Sequence, residues 1–208
     1  MNPSEITAEY IGELTATLQD LPVKVIVQIA ALLAEARARG RTVLLFGNGG
    51  SSAIASHLAV DLNKTAIHPD HPRIRAIALT DNVPLMTAWA NDTAYANIFV
   101  EQMRNFIQPG DVAVAISSSG RSPNIVEAVR YARAAGAITV GLAGFDGGEL
   151  RDLVDVCLIV PNQHYGQIED AHQAVAHMVT ALLRSGADLS AALPVSGAPP
   201  GLPATGGG

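Results

Sequence analysis

Four side chains of the kinds that move protons or hold metal ions stand at helical spacings: His57 and Asp61 in one stretch, Glu169 and His177 in another. His57 and Asp61 are four apart and share a helix face. Glu169 and His177 are two turns apart, about 80° around the axis, close enough to aim into one site. Asp170 and Gln173 fall near the same side, and His172 points elsewhere. Two imidazoles and two carboxylates drawn from two helices could bind a dication such as zinc, or serve as acid and base pairs. Polar, solvated helix faces carry such pairs too, so spacing alone leaves both readings open.

Two loops add a second kind of chemistry. An apolar run at 43–46 breaks at Gly47-Asn48-Gly49-Gly50-Ser51 and continues as a helical pattern to Leu62. The glycines let the backbone approach a ligand, and the helix that follows points unpaired N–H groups at it, which is a seat for an anion. The P-loop lysine is missing and the three-glycine Rossmann spacing is not met. A second apolar run, 111–116, leads into Ser117-Ser118-Ser119-Gly120-Arg121-Ser122-Pro123 and a helix to about 135. One serine explains a helix cap; four hydroxyls beside backbone N–H groups suit phosphate oxygens, and Arg121 could add a cation.

Placing these groups takes alternating strands and helices. Strands are expected at 43–46, 73–79, 111–116, 138–142 and 154–160. Helical pattern covers 50–62, 84–107 with a break near Asn91-Asp92-Thr93, 123–135 and 167–183, and 144–148 reads as a turn. Two more helices, 5–18 and 22–39, precede the first strand, and their apolar stripes suit packing against another subunit. The alternation predicts an α/β three-layer sandwich whose five-stranded parallel sheet has the flavodoxin-like order 2-1-3-4-5. In that order the first and third strands are neighbours, and their two anion-seat loops face one crevice. Residues 1–185 form the domain, and the Gly-, Pro- and Ala-rich stretch 186–208 is expected to be a disordered tail. Within it Leu202-Pro203-Ala204-Thr205-Gly206 looks like a cell-wall sorting signal; lacking an export signal and a hydrophobic tail, the match is expected to be chance or an appended remnant.

Composition narrows the class. The chain has 208 residues, enough for one sizeable α/β domain, and its 49% hydrophobic against 15% charged residues call for extensive burial. A net charge of -6 argues against a nucleic-acid partner. The lone Cys157 excludes an internal disulfide and reads as a buried structural thiol. His68 and His71, in a Pro-flanked loop, read as solvated. With no signal peptide and no apolar run long enough for a bilayer, the expected location is the cytoplasm, with no membrane partner.

Taken together, Gly47-Asn48-Gly49-Gly50-Ser51, His57 with an acid four later, Asn91-Asp92, the 117–122 serine loop and the helix from Ile168 to His177 resemble sugar isomerase (SIS) domains of the phosphoheptose isomerase type, over about residues 5–183. The resemblance implies a ketose–aldose isomerase acting on sedoheptulose 7-phosphate or a close ketose phosphate through a cis-enediol. It implies that Asn48, Gly49, Gly50, Ser51, Asn91, Asp92 and Glu169 hold the sugar and that Ser117, Ser118, Ser119 and Ser122 hold its phosphate. It also implies zinc on His57, Asp61, Glu169 and His177, proton transfer by Asp61 and His177, and a homotetramer with sites between subunits. Two departures stand out: the family has Glu where this chain has Asp61, and Gln where it has Glu169. The expectation is that the pair of changes tightens metal binding and gives Glu169 a share of proton transfer. The alternative is a non-catalytic relative that binds phosphosugars or a protein such as a replication initiator.

Overall fold

The computed structural model describes residues 2–193. Helix α1 (Pro3–Gln19) is started by Asn2, whose side chain accepts from the Ser4 amide while Glu5 reaches back to the Asn2 amide, a reciprocal cap. Helix α2 (Val23–Ala38) follows, and then strand β1 (Thr42–Gly47) and helix α3 (Gly50–Val60). Beyond them come β2 (Arg75–Ala78), α4 (Val83–Asp92), a 3-10 turn at Tyr95–Asn97, α5 (Val100–Phe106), β3 (Val112–Ile116) and α6 (Pro123–Ala134). The chain closes with β4 (Ile138–Ala143), α7 (Leu150–Leu153), β5 (Val156–Ile159) and α8 (Tyr165–Ser185).

All strand pairs are parallel and the sheet order is β2-β1-β3-β4-β5, as the alternation of elements requires. Successive side chains of a strand point to opposite faces. Val43 and Leu45 therefore pack with α2, α3 and α8, whereas Leu44 and Phe46 pack with Ile98, Phe99 and Met103 around α5 and with Ile125 and Val129 of α6. The start of the central pair is clamped by Asp111, which is buried and accepts from the amides of Thr42 and Gln108, each at 2.8 Å.

Four local features differ from the pattern in the sequence. Helix α3 does not end as an α-helix: Asp61–Thr65 is a π turn, in which the Ala66 amide reaches the Asp61 carbonyl at 2.8 Å. Such turns are rare and gather at functional sites. The β4–β5 connection carries the one-turn helix α7 where only a turn is expected. His68 is not solvated; its side chain is 20% exposed, stacks tilted on His71 and lies against Gly186, the left-handed residue that ends α8. Residues 186–193, expected to begin the tail, include a 3-10 turn at Ser190–Ala192, with Leu189 and Leu193 resting on the core because they are apolar and follow directly from α8. The rest of the expected tail, 194–208, lies outside the described residues.

Helix α1 stands apart from the core, and Thr17 is its one buried residue. Polar contacts hold it to α8 and the loop before it: Tyr10 donates to Asp170 at 2.6 Å, Gln167 to Glu13 at 2.7 Å and Asn162 to Thr17 at 2.6 Å. The Asp170 carboxylate raises the Tyr10 pKa through that bond. Ile6 and Ile11 of α1 are more than half exposed. No single helix among the described residues is long and apolar enough to cross a membrane.

Candidate active site

The site lies beyond the C-terminal ends of β1 and β3, the neighbouring strands at which the order of the sheet reverses. Two loops and two helices meet there.

The first loop turns from β1 into α3. Gly49 has φ +55° and ψ -124°, a backbone conformation that a side chain would strain, and it precedes the first turn of α3, whose N–H groups have no earlier carbonyl to bind. Gly50 is required for a different reason: a Cβ there would fall on the Glu169 carboxylate, so α8 presses its acid directly onto the start of α3. Ser51 is buried in that first turn. Asn48, expected on the sugar, is committed within the protein. Its amide makes a reciprocal pair with Asn124, at 2.9 and 2.8 Å, and accepts from the Tyr95 hydroxyl at 3.0 Å. Asn124 is 1% exposed, so the pair joins the two loops from inside.

The serine loop leads from β3 into α6. Ser122 caps α6 by position, yet its side chain makes no cap bond. The Ser117 and Ser119 hydroxyl oxygens accept from the amides of Gly120 and Arg121, at 3.2 and 3.3 Å, which shapes the loop. Among the described residues nothing partners the buried Ser118 hydroxyl, an arrangement that costs about 1–3 kcal/mol unless a ligand satisfies it. The loop is held from below by the β4–α7 turn, where a Cβ on Gly120 would overlap the Gly147 carbonyl. Arg121 does not point a free cation at the site. It forms a two-pronged pair with Asp146, at 2.9 and 2.6 Å, that raises its own pKa and lowers the Asp146 carboxyl to about 2.

Further along α3 and α8, His57, Asp61 and His177 offer ligand atoms that all lie within 4.8 Å of one another. His57 Nε2 is 3.5 Å and His177 Nε2 3.8 Å from Asp61 Oδ2, and the two Nε2 atoms are 3.2 Å apart. Asp61 is the buried member, and its Oδ1 accepts from Thr65 at 2.9 Å within the π turn. Two imidazole nitrogens and a carboxylate oxygen are the donor set that zinc takes. Glu169, expected as a fourth ligand, is not part of this group. Its carboxylate lies on Gly50, because the close approach of α8 to a residue without a side chain leaves a space that it fills. Gln173 stands beside the cluster instead, with its amide 2.9 Å from His177 Nε2.

Asn91 and Asp92 end α4, exposed and bonded to each other at 2.8 Å; among the described residues no hydrogen bond ties them to Asn48 or the serine loop. His172 faces inward. It is fully buried, donates from Nε2 to the Ala143 carbonyl at 3.0 Å, and burial lowers its pKa to about 4, so it is neutral. Cys157 is half-buried, and burial pushes its thiol up to about 11, which makes it a poor nucleophile.

Residues 8–144 match the family described as SIS domain. The chain is 42% identical over 154 residues to the phosphoheptose isomerase of Roseiflexus sp. (strain RS-1), covering 74% of this chain and 78% of that one. This chain belongs to the phosphoheptose isomerase family of SIS-domain proteins. Within that family it is also 40% identical over 158 residues to the phosphoheptose isomerase of Geobacter sulfurreducens, covering 76% of this chain and 83% of the relative. The structure of phosphoheptose isomerase GmhA from Neisseria gonorrhoeae superposes with a TM-score of 0.82 at 30% identity, over 88% of this chain and all (100%) of that one. The SIS match stops within the β4–α7 turn, so α8, which brings Glu169, Gln173 and His177, lies beyond it.

Sequence reasoning missed Asn124, Tyr95 and Asp146, and it placed Gln173 on the right side of its helix without giving it a role. Amides and a lone tyrosine carry no spacing signature, and Asp146 is matched to Arg121 only by the approach of two turns.

Proposed function

We propose that this chain is an aldose–ketose isomerase of phosphorylated sugars, with sedoheptulose 7-phosphate as substrate and a heptose 7-phosphate as product. The observation that carries the reading is the His57–Asp61–His177 cluster on helices α3 and α8, beside an acid, Glu169, that α8 lays on the β1–α3 loop, in a chain whose neighbouring β3–α6 loop buries a Ser118 hydroxyl with no partner among the described residues. The phosphate sits on Ser117, Ser118, Ser119, Ser122 and the first amides of α6, and the sugar lies over Gly49, Gly50 and Ser51 with Asn91 and Asp92 at its rim. Anchoring the phosphate fixes C1 and C2 against the reacting groups, so binding energy far from the reaction is used to orient it.

Glu169, at the sugar loop, removes a proton from C1, and the electron pair forms the C1–C2 double bond of a cis-enediol as O2 takes a proton from His177. His177 then takes the proton of O1, and Glu169 returns its proton to C2, which leaves the aldehyde at C1. Asp61 is the alternative acceptor for the C1 proton; its burial between two imidazoles suits it better to hold charge near the carbonyl. His57, Asp61 and His177 would hold a dication such as zinc, which would supply Lewis-acid polarisation of a carbonyl, the task the His177 proton performs when its Nε2 is free.

The reading includes a cytoplasmic homotetramer. Charged phosphosugars stay where they are made, the exposed apolar residues of α1 suit a subunit interface, and the exposed His57 and His177 suit a site that a neighbouring subunit covers. The test is incubation with sedoheptulose 7-phosphate in deuterated water, with metal content measured on the same sample. Aldose formation with deuterium at C2, lost in His177→Ala, supports the isomerase. Tight binding of the sugar phosphate without exchange overturns it in favour of a binding protein.

A further inference from the structure

Phe145, in the β4–α7 turn, is the one non-glycine among the described residues with a positive φ, +51°. A bulky side chain seldom stands in that region, and one that does is held there by its surroundings. Its backbone and its ring meet different partners. On the backbone side the turn grips the serine loop: the Gly144 amide donates to the Ser118 carbonyl at 2.9 Å, the Leu150 amide donates to the Gly120 carbonyl at 3.2 Å, and a Cβ on Gly148 would overlap the Ser119 carbonyl. The left-handed step at Phe145 lies among these contacts and turns the chain so that they can form.

The ring faces the other way, towards α8. It stands edge-on to the ring of Tyr165, the first residue of that helix, with centres 4.8 Å apart and planes at 66°. A Cβ on Gly144 would fall on the Ile168 side chain, and His172 donates to the Ala143 carbonyl at 3.0 Å. Positions 165, 168 and 172 share one face of α8, so that face is seated on the end of β4 and its turn. The same helix lays the Glu169 carboxylate on Gly50 at the start of α3, and the Asn48–Asn124 pair leads from there back to the serine loop. The contacts close a circuit in which Phe145 joins the serine loop to α8.

We propose that Phe145 is a positioning residue whose ring sets the first turns of α8 against the serine loop, and with them the span between a bound phosphate and Glu169 and His177. This rests on the isomerase reading above. An edge-on aromatic pair is directional, so it holds the helix in one rotation. Glycine or asparagine at 145 would accept the same backbone and leave α8 to its other contacts. A sugar phosphate touches both ends of this span at once. A shift of α8 by about 1 Å therefore misplaces the proton-moving groups relative to C1 and C2 and leaves the phosphate where it was.

The test is steady-state kinetics with sedoheptulose 7-phosphate beside calorimetric binding of inorganic phosphate, both on the full-length protein. Phe145→Asn keeps a residue that tolerates the left-handed backbone and removes the ring; it is expected to lower kcat at least roughly tenfold and to leave phosphate affinity within about twofold of wild type. Phe145→Tyr keeps the ring and is expected to hold kcat within about twofold of wild type. Tyr165→Ala breaks the same contact from an exposed side chain, which spares the fold, and is expected to match Phe145→Asn, with the double variant no slower than either single one. Wild-type kcat in Phe145→Asn or in Tyr165→Ala overturns the inference. So does a loss of phosphate affinity in step with kcat, which would make Phe145 a support of the serine loop alone. These outcomes strike the inference in an active wild-type enzyme; a wild-type protein that does not isomerise the sugar strikes the isomerase reading itself, and the inference falls with it.

Discussion

At the serine loop, Ser117 and Ser118 are each 5% exposed, their backbone is locked against the β4–α7 turn, and the Arg121 cation is paired with Asp146. At the imidazole cluster, the side chains of His57 and His177 are 49% and 55% exposed and are held mainly by each other, by Asp61 and by Gln173. The proposed anion seat is thus shaped within one chain, and the end proposed to move protons is left open. Preorganised backbone suits a phosphate, whose shape does not change during isomerisation. The imidazoles proposed to exchange protons are exposed, as groups that meet water, a metal ion or a neighbouring subunit would be.

Substitutions at the two ends should separate cleanly. The largest effect is expected from His177→Ala, which should lower kcat by about 10²–10⁴-fold while leaving the affinity for the product phosphate nearly unchanged. A parallel loss of binding would mean the two ends are not independent. Next, stability should report the inward and outward faces of α8. His172 titrates near 6.5 when unfolded and about 4 when folded. Between those values the unfolded chain binds more protons, so stability falls as pH falls from 6.5 towards 4, by about 3 kcal/mol in all, and levels out below 4. Urea unfolding at several pH values checks this against His172→Gln, which should flatten the dependence.

Ser118→Ala should raise KM for the phosphosugar by roughly tenfold with kcat little changed, because it removes a donor proposed for the phosphate and leaves no buried hydroxyl behind. An unchanged KM would place the phosphate elsewhere. Gly49→Ala should cost about 1 kcal/mol of stability through its positive φ, measurable as a shift in the urea midpoint. Asp146→Asn should have the smallest effect, a change in KM within about twofold, since an exposed ion pair is screened by water; a large effect would make Arg121 part of the phosphate seat after all.

The sheet was readable because each strand is an apolar run bounded by turn residues, and the order followed from the alternation of elements. Helix α7 escaped because four residues show no helical period, and the π turn because nothing in Asp61-Leu62-Asn63-Lys64-Thr65 distinguishes it from an α-helix end. At the site, His57, Asp61 and His177 were singled out by residue type and spacing, which left their role open, and only the family resemblance joined them into one set. The direction of Glu169 was not, since it is set by a missing side chain at Gly50, in an element more than a hundred residues earlier in the chain. The pairing of Asn48 with Asn124, 76 residues apart, was hidden for the same reason. Such contacts are fixed by the approach of whole elements and leave no local trace.

His57 and His177 are 120 positions apart, which sets an order in time. A chain emerging from the ribosome at about 5–20 residues per second has its serine loop out several seconds before the end of α8. Before α8 docks, a nascent chain has the parts of the proposed anion seat and lacks Glu169 and His177, the two groups proposed to move protons. Recovery of activity in refolding should therefore trail recovery of β-sheet signal, and phosphosugars added early should find something to bind before there is anything to catalyse.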